Sequence, residues 1–129
     1  MSNPLSSFLG VHGTALPLRE QRMQLIASNL SNADTPGYKA KDIEFQAALE
    51  SAAQRGGPMR ATHERHAGSG LGLQPRIFER QGLQPSLDGN TVDADTERAA
   101  YGRAALEYRA SLSFVESKVR SMLTAITGQ

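Results

Sequence analysis

"ASNLSNADTPGYKAKDIEF", residues Ala27 to Phe45, is where an apolar, helix-patterned run breaks into Asn, Ser, Asp, Thr, Pro, Gly and Tyr. Asn29 to Asn32 stand where a helix must stop. Asparagine tolerates the left-handed conformation that follows a helix, and its amide competes for backbone groups. In Asp34-Thr35-Pro36-Gly37, Pro36 takes position two of a turn, and Gly37 supplies the positive φ that a type II turn needs at position three. Tyr38 brings a flat ring with a polar tip, suited to anchoring that turn on an adjoining surface. Lys39, Lys41, Asp42 and Glu44 then alternate in sign, and Ile43 and Phe45 make a brief alternating pattern. The stretch spells a helix stop followed by a tight, anchored turn.

C-terminal to it lies the clearest periodicity in the chain. Tyr101, Ala105, Tyr108, Leu112, Val115, Val119, Met122 and Ile126 follow at spacings of 4, 3, 4, 3, 4, 3 and 4. That is a heptad seam of a coiled coil. Asp93 or Asp95 can cap its start, Glu97 belongs to an acidic first turn, and Gly128 can end it. A helix over residues 94–127 would be roughly 50 Å long at about 1.5 Å per residue. Leu106, Phe114 and Leu123 are apolar positions that a two-helix seam does not cover, so they are candidates for contact between subunits.

The N-terminal side is helical with a different surface. Leu9, Leu16, Met23 and Leu30 recur every seven residues. Val11, Leu18 and Leu25 do the same about 200° away, at about 100° per residue. A helix apolar on two opposed sides needs two partners. The C-terminal helix can be one, and the chain is too short to supply the others of a larger bundle. Contact in an assembly is the preferred reading, with Val11, Leu18 and Leu25 on that face. Pro17 cannot donate to the carbonyl of Gly13, and Gly10 and Gly13 are poor helix formers. A kink or a fresh start near residues 13–17 is therefore expected in the free subunit. Length matching favours continuation on assembly, since residues 5–32 would reach roughly 42 Å.

Residues 54–92 are rich in Gly, Pro and Arg and have little periodicity. They read as a loop or insertion, poorly ordered alone, in which Leu71–Leu73 and Ile77–Phe78 could form a small hairpin. The expected fold is mainly α: an antiparallel coiled-coil hairpin of N- and C-terminal helices, with an irregular or small β-containing middle segment. Its parts are the first helix (1–32), the turn motif and its extension (33–53), the middle segment (54–92) and the second helix (93–129).

Composition agrees with a slim, non-enzymatic fold. Leu, Ile, Val and Phe supply 26 of 129 residues, and aromatics are 5% of the chain, which suits helices packing closely without a thick core. Such a fold buries little surface per residue and leans on neighbouring subunits. Fourteen basic residues against 13 acidic ones remove the main electrostatic argument for nucleic acid. No apolar run reaches the roughly 18 residues of a membrane span. The N-terminal stretch has no basic residue before Arg19 and lacks a signal-peptide layout. Absence of cysteine excludes disulfides and thiol catalysis.

Candidate chemistry is thin. His63 and His66 flank Glu64, but Gly and Pro surround them and no third ligand is evident, so a polar surface loop is preferred to a metal site. His12 reads as packing or surface. "GSGLG", Gly68 to Gly72, lacks the Lys-Ser/Thr of a phosphate loop, and no Ser and His form a nucleophile–base motif. Arg98, Arg103, Arg109 and Arg120 are interleaved with acids, as on a solvated or interfacial face. No catalytic, metal or cofactor residue is assigned.

"SNLSNADTPGYKAKDIEF" closely resembles the N-terminal motif of bacterial flagellar axial proteins, and its continuation "ADTPGYKAKDIEF" is similar to the proximal-rod branch of that family. "THERH", Thr62 to His66, resembles the branch's short Thr/His motif, and "QPSLDGNTVDADTE", Gln84 to Glu97, its lead-in to the C-terminal helix. The resemblance spans nearly the whole chain. Pro17 and the short middle segment depart from the family pattern. The resemblance implies a structural subunit whose terminal helices pair and stack helically into the flagellar rod. It implies an assembly motif of Asn29, Asn32, Thr35, Pro36, Gly37 and Tyr38. It further implies contacts with copies of itself, with other rod proteins, and with the inner-membrane MS ring and its rod adaptor. Export through the flagellar type III apparatus to the periplasm, without a cleaved signal peptide, completes the expectation. The rival is a helical-hairpin adaptor that binds one partner helix and never polymerises; closed stoichiometry rather than open-ended growth would mark it.

Overall fold

A computed structural model describes residues 4–54, 75–82 and 86–128. In chain order the elements are α1 (Pro4–Ser31), β1 (Lys41–Ile43), α2 (Phe45–Gln54), β2 (Ile77–Glu79) and α3 (Ala94–Thr127). Local chemistry sets the ends of α3. The Asp93 side chain accepts from the amides of Asp95 and Thr96, and Gly128, at φ 71°, returns its N–H to the Thr124 carbonyl. Both caps satisfy groups that a helix end leaves without partners.

α1 and α3 pack as an antiparallel hairpin in a register that four contacts define. Asn29 meets Glu97, Arg19 meets Glu107, His12 stacks on Phe114, and Lys118 lies over Phe8; in each pair the two numbers add to 126. Pro4, where α1 begins, is thus opposite position 122, and α3 runs on beyond it.

The buried stripe of α3 is Glu97, Ala104 and Ser111, one residue every seven. From α1 come Ala15, Leu18, Ile26 and Asn29, and from the motif Ala40 and Ile43. Small residues at Ala15, Ala104 and Ser111 let the two backbones approach closely. The seam therefore differs from the apolar heptad. In its row Tyr101, Tyr108, Val115 and Met122 all but the exposed Tyr101 are half-buried; in the row Ala105, Leu112, Val119 and Ile126 the first two are half-buried and the last two exposed, Ile126 at 74%. Replacing that row by Ala104 and Ser111, one position earlier, rotates the seam by roughly 50°, half of the ~100° between successive residues. Ile126 and Leu123 also lie past the residue opposite Pro4 in this register, beyond the start of α1.

Leu18 is a second correction. It was expected on an outer face with Val11 and Leu25, yet it is 1% exposed. The buried face of α1 runs between the two apolar stripes, and Leu18 stands on it with Ala15 and Ile26. The break in α1 is a third. It falls at Gly10, with φ 60° and ψ −150°, and not at Pro17, which sits inside the helix.

β1 and β2 form an antiparallel pair with Lys41 opposite Glu79, Asp42 opposite Phe78 and Ile43 opposite Ile77. Ile77 and Phe78 thus pair with the motif; Leu71–Leu73, the other half of the expected hairpin, lie outside the described residues. Strand-edge bonds from Arg80 N to Ala40 O (2.7 Å) and Glu44 N to Arg76 O (3.0 Å) extend the pairing. α2 occupies part of the stretch read only as an extension; its Ala-rich "FQAALESAAQ" is made of good helix formers. The Arg19 guanidinium, 4.9 Å above the Phe45 ring, ties its first residue to α1.

Candidate assembly site

The Ala27–Phe45 motif, the lead-in 86–97 and the end of β2 meet at the head of the hairpin, and two asparagines organise them. Asn29 is fully buried. Its Oδ1 accepts from Lys41 N at 2.9 Å and Tyr38 Oη at 3.4 Å, while its Nδ2 donates to Lys41 O at 2.8 Å and Glu97 Oε2 at 3.3 Å. The side-chain amide treats Lys41 as a neighbouring strand would, exchanging both of its backbone groups. Asn90, also buried, is the second centre. Its Nδ2 faces the carbonyls of Asn32, Ala33 and Thr35 at 2.9–3.0 Å, and its Oδ1 accepts from Val92 N at 2.7 Å. Asn32 O and Thr35 O also accept from Thr35 N and Tyr38 N within the turn, so the Asn90 amide adds a donor from another part of the chain to the end of α1.

Between them runs a chain of buried charge. Glu97, 2% exposed, is paired with the Arg80 guanidinium. Arg80 Nε also lies 4.0 Å from Asp42 Oδ2, and Asp42 is gripped by Arg22 through two bonds of 3.1 and 3.3 Å. Asp42 Oδ1 accepts from Ile43 N at 2.8 Å. Each carboxylate thus has a cation and a hydrogen-bond donor, the condition under which buried charge is tolerated.

The turn forms as its residues dictate. Tyr38 N donates to Thr35 O at 3.2 Å across Pro36 and Gly37, and Gly37 has φ 73°. Thr35 Oγ1 donates to Asn32 Oδ1 at 3.1 Å, and Asn32 Nδ2 to Ser28 O at 2.8 Å. The lead-in lies alongside: Gly37 N donates to Asp88 O (2.8 Å), Thr91 N to Tyr38 O (3.0 Å), and Lys39 Nζ to Gly89 O (2.6 Å). Bonds from the Asn90 amide, then the Ser86 hydroxyl, hold the Asp88 carboxyl below its usual range.

Of the six motif residues, Asn29 is wholly internal. The Tyr38 ring turns back on its own α1 end, its Oη near Ser28 Oγ and Asn29, while Thr35, Pro36 and Gly37 face solvent. Outside the head, Val11, Leu106, Phe114 and Leu123 are more than half exposed, and Tyr101 and Val119 are exposed beside them on α3. Leu25 is half-buried. His12 stacks on Phe114 at 4.5 Å, a packing role. His63 and His66 lie outside the described residues, and among those described no group of three His, Cys, Asp or Glu could hold a metal ion. No helix described is long and apolar enough to cross a membrane.

Sequence reasoning missed Arg22, Asp42, Arg80, Asn90 and the burial of Glu97. A signal existed for Glu97, which shares a seven-residue row with Ala104 and Ser111; Arg80 carries none.

A slender hairpin locked at its head by this motif is the arrangement that the motif's resemblance to flagellar axial proteins implied. The family described as flagella basal body rod protein matches residues 9–39, which hold α1 from Leu9 onward and the turn. The flagellar basal body rod protein FlgB of Aeromonas hydrophila is 43% identical over 122 residues, covering 93% of this chain and 92% of that protein. FlgB of Escherichia coli K12 is 38% identical over 135 residues, 98% of this chain and 97% of that one. FlgB of Salmonella typhimurium is 35% identical over 136 residues and 99% of each. The chain belongs to the flagellar basal body rod protein family, in its FlgB branch. It is a structural subunit of the rod and not an enzyme.

Proposed function

We propose that the chain builds the proximal rod by stacking helically on copies of itself and on other rod proteins, through the outward row of α3. One observation carries this reading. Ala105, Leu112, Val119 and Ile126 keep a seven-residue apolar period, yet α1 leaves the lower half of that row uncovered, with Val119 at 43% exposure. A second helix laid on that row would extend the coiled-coil geometry from one chain to the next. Leu123 lies beside it, and Val11, Leu106 and Phe114 offer apolar contact on other faces, as repeated association in several directions requires.

On the same reading, the head positions the exposed Thr35-Pro36-Gly37 turn against a neighbour, and the buried charge keeps it rigid enough to pass torque along the rod. Stacked hairpins would enclose part of the export channel. Family membership supports a base at the inner-membrane MS ring and its rod adaptor. It also supports delivery to the periplasm by the flagellar type III export apparatus without a cleaved signal peptide.

The test is Val119→Asp with Ile126→Asp, read by electron microscopy of basal bodies. Both side chains are exposed, so the hairpin should keep its helix content while rods disappear above the inner-membrane ring. Normal rods in the double variant would overturn the proposal. A purified chain that forms a closed complex of fixed size at every concentration would favour the non-polymerising adaptor.

A further inference from the structure

The break in α1 is built from two glycines that meet separate demands. Gly10 has φ 60° and ψ −150°, a region that side chains at Cβ close to every residue but glycine. A Cβ there would meet nothing within 4 Å, so conformation and not space demands glycine. At Gly13 the demand is space. A Cβ on that residue would lie 2.7 Å from Leu9 Cβ, whereas residues four apart in an unbroken helix hold their Cβ atoms about 5–6 Å apart. The bend therefore folds Leu9 onto Gly13. In a straight helix neither position would require glycine, and both would weaken the helix. Four residues on, Pro17 removes the amide that would bond the Gly13 carbonyl, which loosens the same face.

The bend has a consequence for α1's apolar surface. Leu9, Leu16, Met23 and Leu30 would form one continuous row on a straight helix. Bent at Gly10, the helix takes Leu9 out of that row. Lys118 over the Phe8 ring at 5.6 Å is a contact with α3 on the N-terminal side of the break. His12 on Phe114 holds the other side in the same register.

We propose that Gly10 and Gly13 form a hinge that gates assembly. Bent, α1 presents a broken row and the free subunit resists self-association; straightened, it completes the row for a second copy of the chain. This gate rests on the rod-subunit reading above, while the bend itself does not.

Gly10→Ala tests both parts, and Gly13→Ala repeats the test through the other demand. The chain has no cysteine, so spin labels can be introduced cleanly at Ser6→Cys and Gln24→Cys. In the wild type the label distance should fall short of the roughly 27 Å that an unbroken helix spans over 18 residues at about 1.5 Å each. In either alanine variant it should lengthen toward that value. Light scattering should then show assembly beginning at a several-fold lower concentration. A wild-type distance already at the straight-helix value, or no lengthening in the variants, would overturn the hinge. Lengthening without an earlier onset would overturn the gate. Failure of wild type and variants alike to assemble at any concentration would refute the rod reading and the gate together, with the label distance still deciding the hinge.

Discussion

Arg80→Ala removes the cation shared by two carboxylates from different elements, and its cost can be worked from the geometry. Asp42 would keep both bonds from Arg22. Glu97, 2% exposed in the intact head, would keep only the 3.3 Å bond from Asn29. Removing one partner of a buried pair costs roughly 3–5 kcal/mol, because the other charge is left uncompensated. Arg80 is itself 28% exposed, so water reaches the vacated site and the expected loss is about 2–4 kcal/mol. With an m-value of about 1.5 kcal/mol/M, the urea midpoint followed by circular dichroism should fall by roughly 1–3 M. Adding Glu97→Gln supplies the discriminating arm. Glutamine keeps the shape and the Asn29 contact but carries no charge, so Arg80→Ala should cost far less in its presence, with a coupling above about 1 kcal/mol. A loss below about 0.5 kcal/mol for Arg80→Ala, or strict additivity of the two changes, would refute the view that this charge chain holds the head together.

Asn90→Ala should destabilise by about 2–3 kcal/mol, since a buried donor to three carbonyls disappears; hydrogen exchange should quicken at Gly37 and Thr91 before the middle of α3. Asn90→Asp should fail as well, because an ionised carboxylate cannot donate. Gly37→Val, at a position with φ 73°, should cost roughly 1–3 kcal/mol and abolish rods while α1 and α3 keep their helicity; intact rods would remove the turn from the assembly argument. Asp93 supplies the pH dependence. Bonds from the Thr96 hydroxyl, then from the Thr96 and Asp95 amides, hold its carboxyl below the usual 3.8. A depressed folded value means that the cap stabilises α3 above that pH and is lost as pH falls through the folded value. Asp93→Asn, which caps without titrating, should remove this acid step and leave the neutral-pH stability near wild type. An unchanged acid limb would contradict it.

What could be read before folding was local. The bounds of α3 follow from Asp93 and Gly128, because capping joins a residue to backbone two to four positions away. The type II turn follows from Pro36 and Gly37 for the same reason. Gly10 was noted as a poor helix former, but the break was sought nearer Pro17. A proline's missing amide is visible in the letters, whereas the dihedral a glycine adopts depends on what packs beside it.

The two-helix hairpin and its turn were thus determined by the sequence, through periodicity and short-range hydrogen bonding. Tertiary structure alone decided which face of α3 meets α1. Its apolar residues cover more of its circumference than one partner can bury, so the pattern admits several rotations about the helix axis. Long-range pairing chose among them: Asn29 and Arg80 draw Glu97 inward, and the small Ala15, Ala104 and Ser111 let the backbones close. Val119 and Ile126, the lower half of the row from Ala105, were left exposed by that choice, because hydrophobicity states that a side chain will be covered and only geometry states by which neighbour.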